Sequence, residues 1–199
     1  MARSDTLSVR DSNVYSRTPD RMEVELDFRP YQVGIVIGGD HKIQQLVQGV
    51  APSDPRNTLR LRYLDFLRDF TRRYPVDVLC EEAKHGVESI AETVADQERL
   101  RYRNLEPPTQ RRAELGIPAL YTIDVPVSEV SEEQKAQWTA LWESHMVQEL
   151  LGAVAGARAM IVICGVLHMP AMIQVLSTKF TRVEQCDVTA TPWFDRSLL

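Results

Sequence analysis

Two apolar runs that each end in Gly-x-x-His constrain the fold of this chain more than any other feature. Residues 160–164 form an unbroken apolar run, and Gly-x-x-His follows it, ending at His168. Residues 33–37 run into a second Gly-x-x-His that ends at His41. Short β-branched runs of this kind are typical of strands buried on both faces of a parallel sheet. Because ligands bind at the carboxyl ends of such strands, we expect both imidazoles at one edge of the sheet.

Helical and strand patterns alternate along the rest of the chain. This alternation predicts an α/β fold, with a mostly parallel β-sheet flanked by helices on both faces. We predict one α/β domain over residues 21–199, preceded by a polar, flexible arm over residues 1–20. The predicted strands cover about 22–28, 32–37, 76–79, 100–105, 160–164 and 181–186, and residues 119–125 are ambiguous between strand and loop. The first predicted helices are a short turn after His41, an amphipathic helix over 59–70 and a helix over 87–98. They are followed by a brief helix at 111–115, a long helix over 131–155 and a last helix through 172–176.

Composition and charge exclude several classes of protein. A length of 199 residues suits one well-packed domain, and a net charge of −5 argues against a general nucleic-acid binder. The apolar stretch 150–176 is interrupted by Arg158, Gly165, His168 and Pro170, so we expect no membrane span. Three cysteines in apolar runs and the absence of a secretory pattern predict reduced thiols and a cytoplasmic location.

The strand ends predict a cluster of titratable side chains. Glu81 and Glu82 follow the apolar run 76–79, so they should reach the same edge as His41 and His168. Two imidazoles and a carboxylate can hold a divalent metal and leave positions open for water and substrate. We take His41, His168 and Glu81 as the metal ligands, with the second glutamate as general base or ligand orienter. Which of the two glutamates faces the site stays open, as does the metal's identity.

Each of these features also has a structural interpretation. A histidine after a strand often only packs in a turn, and a glutamate pair can cap the next helix. A shared site is favoured because all four groups lie at predicted strand ends. His85 and His145 are weaker candidates, since His145 falls within the long helix.

The motifs Gly38-Gly39-Asp40-His41, Leu79-Cys80-Glu81-Glu82 and Cys164-Gly165-Val166-Leu167-His168 resemble those of a known superfamily. It includes erythromycin esterases (EreA), ChaN-like haem-uptake proteins and TraB/TIKI-like metalloproteases. The resemblance implies an EreA/ChaN-like fold and a site core made of the two histidines and an acidic residue. It also implies an accompanying arginine, for which Arg111 or its neighbour Arg112 is the candidate. We assign this role to Arg111.

These observations predict a hydrolase that acts on an ester, lactone, amide or related bond of a small molecule or peptide. One glutamate would activate water, while His41 and His168 bind metal or stabilise the oxyanion. A metal-free mechanism stays open, and so does homo-oligomerisation. The alternative is a non-catalytic protein that carries a metal or haem on the same histidines. Two weaker alternatives are a Cys164 nucleophile and nucleotide binding by the stretch 33–40, which lacks the full glycine spacing.

Overall fold

The structure, a computed structural model, describes residues 32–44, 53–118 and 130–198. Its strands are β1 (Val33–Gly39), β2 (Val78–Glu81), β3 (Arg101–Asn104), β4 (Ala159–Gly165) and β5 (Arg182–Asp187). The predicted arm over residues 1–20, the predicted edge strand over 22–28 and the ambiguous stretch 119–125 lie outside these ranges. The described strands therefore account for each of the other predicted strands.

The helices alternate with these strands, and polar side chains cap the first turns of several of them. They are α1 (His41–Gln44), α2 (Pro55–Arg73), α3 (Ile90–Glu98), α4 (Thr109–Glu114), α5 (Glu132–Val154) and α6 (Met169–Ser177). Helix α5 begins at the N-cap Ser131, whose side chain accepts from the backbone N–H of Gln134 in a capping box. Helix α3 starts later than predicted, because the Ser89 side chain caps it by accepting from the backbone N–H of Glu92.

All five strands run parallel in one sheet of order β3-β2-β4-β1-β5. The register pairs Gly39 of β1 with Gly165 of β4, and Glu81 of β2 with Ile163 of β4. Strands β2, β4 and β1 are therefore neighbours at the centre of the sheet, and their carboxyl ends lie side by side. The predicted α/β fold with a parallel sheet is confirmed.

The two faces of the sheet pack against different helices. Odd-numbered residues of β1 and β4, together with Leu79 of β2, form one apolar cluster with α2 and α3. Most even-numbered residues of the same strands, together with Val78 and Cys80, form a second cluster with α5 and α6. The segment near the C-terminus packs against the face that carries α2, since the centre of the Trp193 ring lies 5.7 Å from that of Phe66 on α2.

The chain leaves neighbouring central strands toward opposite faces. After β1 and β2 it continues into α2 and α3 on one face, whereas after β4 it continues into α6 on the other. In open α/β sheets such a divergence opens a crevice at the carboxyl ends of the strands. His41 follows β1, Glu82 follows β2, and His168 ends the 3-10 turn after β4. The topology thus brings these three residues to the crevice.

Helix α6 packs so closely on β1 that a methyl group at Gly38 would meet it. A Cβ at Gly38 would lie 2.1 Å from Sδ of Met169, whereas one at the adjacent Gly39 would lie 4.0 Å from its nearest neighbour, Cγ2 of Ile43. We expect Gly38→Ala to lower the free energy of unfolding by about 1–3 kcal/mol through overpacking, and Gly39→Ala to change it far less. Urea denaturation of both variants measures this difference, and equal effects would contradict the close packing.

Among the helices of the described ranges, none is both long and apolar enough to cross a membrane.

Candidate functional site

The two adjacent glutamates at the end of β2 point to opposite faces of the sheet. Side chains alternate along a strand, so Glu81 lies on the α2/α3 side with Leu79, and Glu82 lies on the α5/α6 side with Cys80. Glu81 accepts hydrogen bonds from the hydroxyls of Ser89 (2.5 Å) and Tyr102 (3.0 Å). The alternation leaves Glu82 as the glutamate that faces the crevice.

The carboxylate of Glu82 lies between the imidazoles of His41 and His168. Its Oε2 is 3.7 Å from Nε2 of His41, and its Oε1 is 3.5 Å from Nε2 of His168. Two neutral donors hold it in place: the indole N–H of Trp142 donates to Oε1 and the backbone N–H of Gly165 donates to Oε2, each at 2.9 Å. The side chains of Glu82 and His168 are each 3% exposed and that of His41 is 26% exposed, so His41 is the solvent-facing member.

Both histidines are oriented through their Nδ1 atoms. His168 Nδ1 donates to the carboxylate of Glu143 at 2.9 Å, and His41 Nδ1 donates to the amide oxygen of Gln44 at 3.1 Å. Because these oxygens only accept, Nδ1 carries a proton, and in the neutral form of each ring the Nε2 lone pair is directed toward Glu82. A lone pair and a carboxylate repel each other, so a proton or a cation between them stabilises the arrangement.

This arrangement differs from the predicted ligand set of His41, His168 and Glu81. Glu81 is on the other face of the sheet, and Glu82 stands where Glu81 was expected. Two imidazole nitrogens and one carboxylate are still the types of ligand that a divalent metal takes. Across the described ranges, no three His, Cys, Asp or Glu side chains form a group that could hold a metal ion as they stand.

The structure places Arg112, rather than the predicted Arg111, next to the site. Arg111 is half-buried and pairs with Glu114 at 2.9 Å, on the same surface of α4. Arg112 is buried, with its guanidinium carbon 5.1 Å from the centre of the Trp142 ring and its Nη2 2.5 Å from the carboxylate of Glu106. Consecutive helix residues point about 100° apart. Only one of the two arginines therefore reaches Trp142, and through it Glu82.

The remaining histidines and the cysteines stand outside this cluster. His85 Nε2 donates to the backbone carbonyl of Glu106 at 2.6 Å, and His145 is a buried residue of α5 whose pKa is lowered by burial. Cys164 is buried, and burial raises the pKa of its thiol well above the ordinary value. A thiol that resists ionisation is a poor nucleophile, so this environment disfavours the Cys164 mechanism.

Several residues of the site are not identified by the sequence patterns. Trp142 and Glu143 belong to α5, which is far along the chain from β2, and nothing local indicates that they contact Glu82 and His168. Gln44 did carry a signal, since it lies three residues after His41 and such pairs share one face of a helix.

Glu81 gives the fold a specific dependence on pH. Burial raises the pKa of this carboxyl from 4.5 to about 7, so the folded state binds the proton more tightly than the unfolded chain. The stability associated with Glu81 is therefore present below about pH 4.5 and is lost as the pH rises through 7. We expect Glu81→Gln to gain stability relative to the parent protein by about 2–3 kcal/mol between pH 5 and pH 8. Denaturant titrations at both pH values measure this gain, and a constant difference would contradict it.

Comparison with known proteins finds no match among family models, curated proteins or solved structures.

Proposed function

We propose that this protein is a hydrolase in which Glu82, His41 and His168 activate water against an ester, lactone, amide or related bond. The supporting observation is the single carboxylate that lies between two imidazole Nε2 atoms at the carboxyl ends of three adjacent strands. A general base held in this way removes a proton from water as it attacks a carbonyl carbon. The substrate class that we propose is the one predicted from the sequence, a small molecule or a peptide.

The environment of each of the three residues indicates its role in the reaction. Glu82 takes the proton from the attacking water, which forms the new C–O bond. His41 is the more exposed imidazole, so it faces the substrate, and in its protonated form it stabilises the oxyanion. His168 is buried and held by Glu143, and it keeps Glu82 in position. When the tetrahedral intermediate collapses, the bond to the leaving group breaks and that group receives the proton from Glu82.

The same three side chains carry the types of ligand atom that a divalent metal takes. His41 and His168 would hold it through Nε2, with Glu82 as the carboxylate ligand, and their Nδ1 atoms are already oriented by acceptors, as is usual for ligating histidines. When bound, such an ion polarises a carbonyl and lowers the pKa of its water to about 7. This Nδ1 arrangement equally favours the alternative function, a protein that carries a metal or haem without catalysis.

Metal analysis combined with a substrate screen separates the two proposals. We expect the purified protein to hydrolyse at least one of a set of chromogenic esters and lactones, and we expect His41→Ala to retain only a small, measurable fraction of that activity while the circular dichroism spectrum stays unchanged. A stoichiometric metal or a haem absorbance band without turnover would support the carrier function instead. A protein with neither bound ligand nor turnover would contradict both proposals.

A further inference from the structure

Among the residues that the structure describes, three polar side-chain atoms near the carboxyl ends of β1 and β2 are buried without a hydrogen-bond partner. They are Nε2 of Gln44, the hydroxyl oxygen of Tyr63 and Oε1 of Glu81, and each residue is at most 1% exposed. Buried polar groups in native proteins nearly always have partners, including ordered waters. Three unpartnered atoms in one buried region therefore point to a bound ligand that can both donate and accept hydrogen bonds.

The three atoms belong to one cluster, and Tyr63 is its centre. The Tyr63 hydroxyl interacts with both the amide of Gln44 and the charge of Glu81. Burial raises the pKa of Tyr63 and the Glu81 charge adds to the effect, while the contact with the Gln44 amide, too poorly aligned to count as a full hydrogen bond, opposes it; the hydroxyl therefore stays protonated. The other carboxylate oxygen of Glu81 already accepts from Ser89 and Tyr102. Gln44 connects this cluster to the candidate site, because its amide oxygen accepts from Nδ1 of His41.

We propose that Gln44, Tyr63 and Glu81 bind one ordered water, and that this cluster acts as a positioning device for His41. The water accepts from Nε2 of Gln44, donates to Oε1 of Glu81 and shares a hydrogen bond with the Tyr63 hydroxyl. Three hydrogen bonds are typical of a buried water. These bonds hold the NH2 end of the amide on the buried side of Gln44.

The fixed amide determines which nitrogen of His41 carries the proton. With Nε2 of Gln44 bound on the buried side, the amide oxygen faces His41 and accepts from Nδ1, so the Nε2 lone pair of His41 faces Glu82. An amide rotated by half a turn would present NH2 to Nδ1 and move the proton to Nε2 of the ring. Gln44, Tyr63 and Glu81 thus act on the site through His41 alone. Their effect on turnover rests on the proposed hydrolase function, whereas their effect on the imidazole does not.

Nitrogen NMR of the four histidines measures the His41 tautomer directly in the resting protein. We expect a parent spectrum in which Nδ1 of His41 is protonated, and we expect Tyr63→Phe to shift the ring toward the Nε2-protonated form. In the hydrolysis assay the same variant should lose about tenfold in kcat with little change in KM. Tyr74→Phe is the matched control, since it also removes a tyrosine hydroxyl bound to a glutamate, Glu184, at 2.7 Å. It should leave the His41 signals unchanged.

Gln44→Met provides a second test that does not depend on the folding of Tyr63→Phe. It removes the amide that contacts His41, so it should shift the tautomer at least as far, while Lys42→Met on the same helix should not shift it. An imidazole spectrum that is the same in Gln44→Met, Tyr63→Phe and the parent protein would overturn the proposal. If the tautomer shifts in these variants but the protein hydrolyses no substrate, the positioning proposal stands and the hydrolase function is rejected.

Discussion

Glu82→Gln is expected to lower kcat by about 10³-fold, the loss typical of a removed general base. The amide is similar in size to the carboxylate, but it lacks the negative charge that both imidazoles face. Both oxygens of Glu82 also accept from N–H groups, one from Trp142 and one from Gly165. Glutamine can accept through only one end, so its NH2 must face one of these donors. The substitution therefore removes the base and weakens the support that holds it.

The loss of activity is separated from the loss of stability by measuring both. An unmatched buried donor costs about 1–3 kcal/mol, so thermal unfolding should begin at a lower temperature while the native circular dichroism spectrum persists at the assay temperature. Glu149→Gln serves as the control, because Glu149 pairs with Arg103 on the surface of the same α5 helix that carries Trp142. It should retain full activity. A folded Glu82→Gln protein with the parent kcat would exclude Glu82 as the base.

Gly165→Ala is expected to lower kcat by about 10²-fold, because an added methyl group would displace His41. A Cβ at Gly165 would lie 2.8 Å from Nε2 of His41, a separation that real Cβ atoms essentially never show. The same Cβ would be 3.6 Å from Cδ2 of His168, which is ordinary contact. The ring of His41 must therefore move while that of His168 stays. A displacement of about 1 Å in a catalytic group can cost 10²-fold in rate.

The matched control for this substitution is Gly39→Ala, since Gly39 pairs with Gly165 in the sheet register. A methyl group there meets nothing closer than 4.0 Å, so the variant should keep most of the parent activity. His41→Ala and the double variant with Gly165→Ala complete the comparison. If the methyl group acts through His41, the double variant should lose no more activity than His41→Ala alone. A further loss in the double variant would place the effect of Gly165 elsewhere.

The location of the site follows from the sequence because strand ends are readable from local patterns. A buried β-branched run and a following glycine define where β1 and β4 end, and the parallel topology then places His41 and His168 at one edge of the sheet. Which face of the sheet each of Glu81 and Glu82 lies on depends on the exact phase of β2. A shift of one residue in that phase exchanges them, and the three residues before them, Val78, Leu79 and Cys80, are apolar on both faces and so do not set it.

The residues that orient the site depend on contacts between distant segments. Trp142 and Glu143 reach Glu82 and His168 because α5 packs on the even-numbered face of the sheet. Likewise, the choice between Arg111 and Arg112 depends on the rotation of the short helix α4. Neither the packing of α5 nor the rotation of α4 is encoded in a local motif, so sequence patterns identify the strand-end groups and leave their partners undetermined.

The most direct test of the central claim is an experimental crystal structure that measures the distances from the Glu82 carboxylate to the two imidazoles. We expect Nε2 of His41 and Nε2 of His168 on opposite oxygens of Glu82, near 3.7 and 3.5 Å, either directly or through one shared water or metal ion. A structure in which either ring turns away from Glu82, or in which Glu81 occupies the space between them, would contradict the central claim.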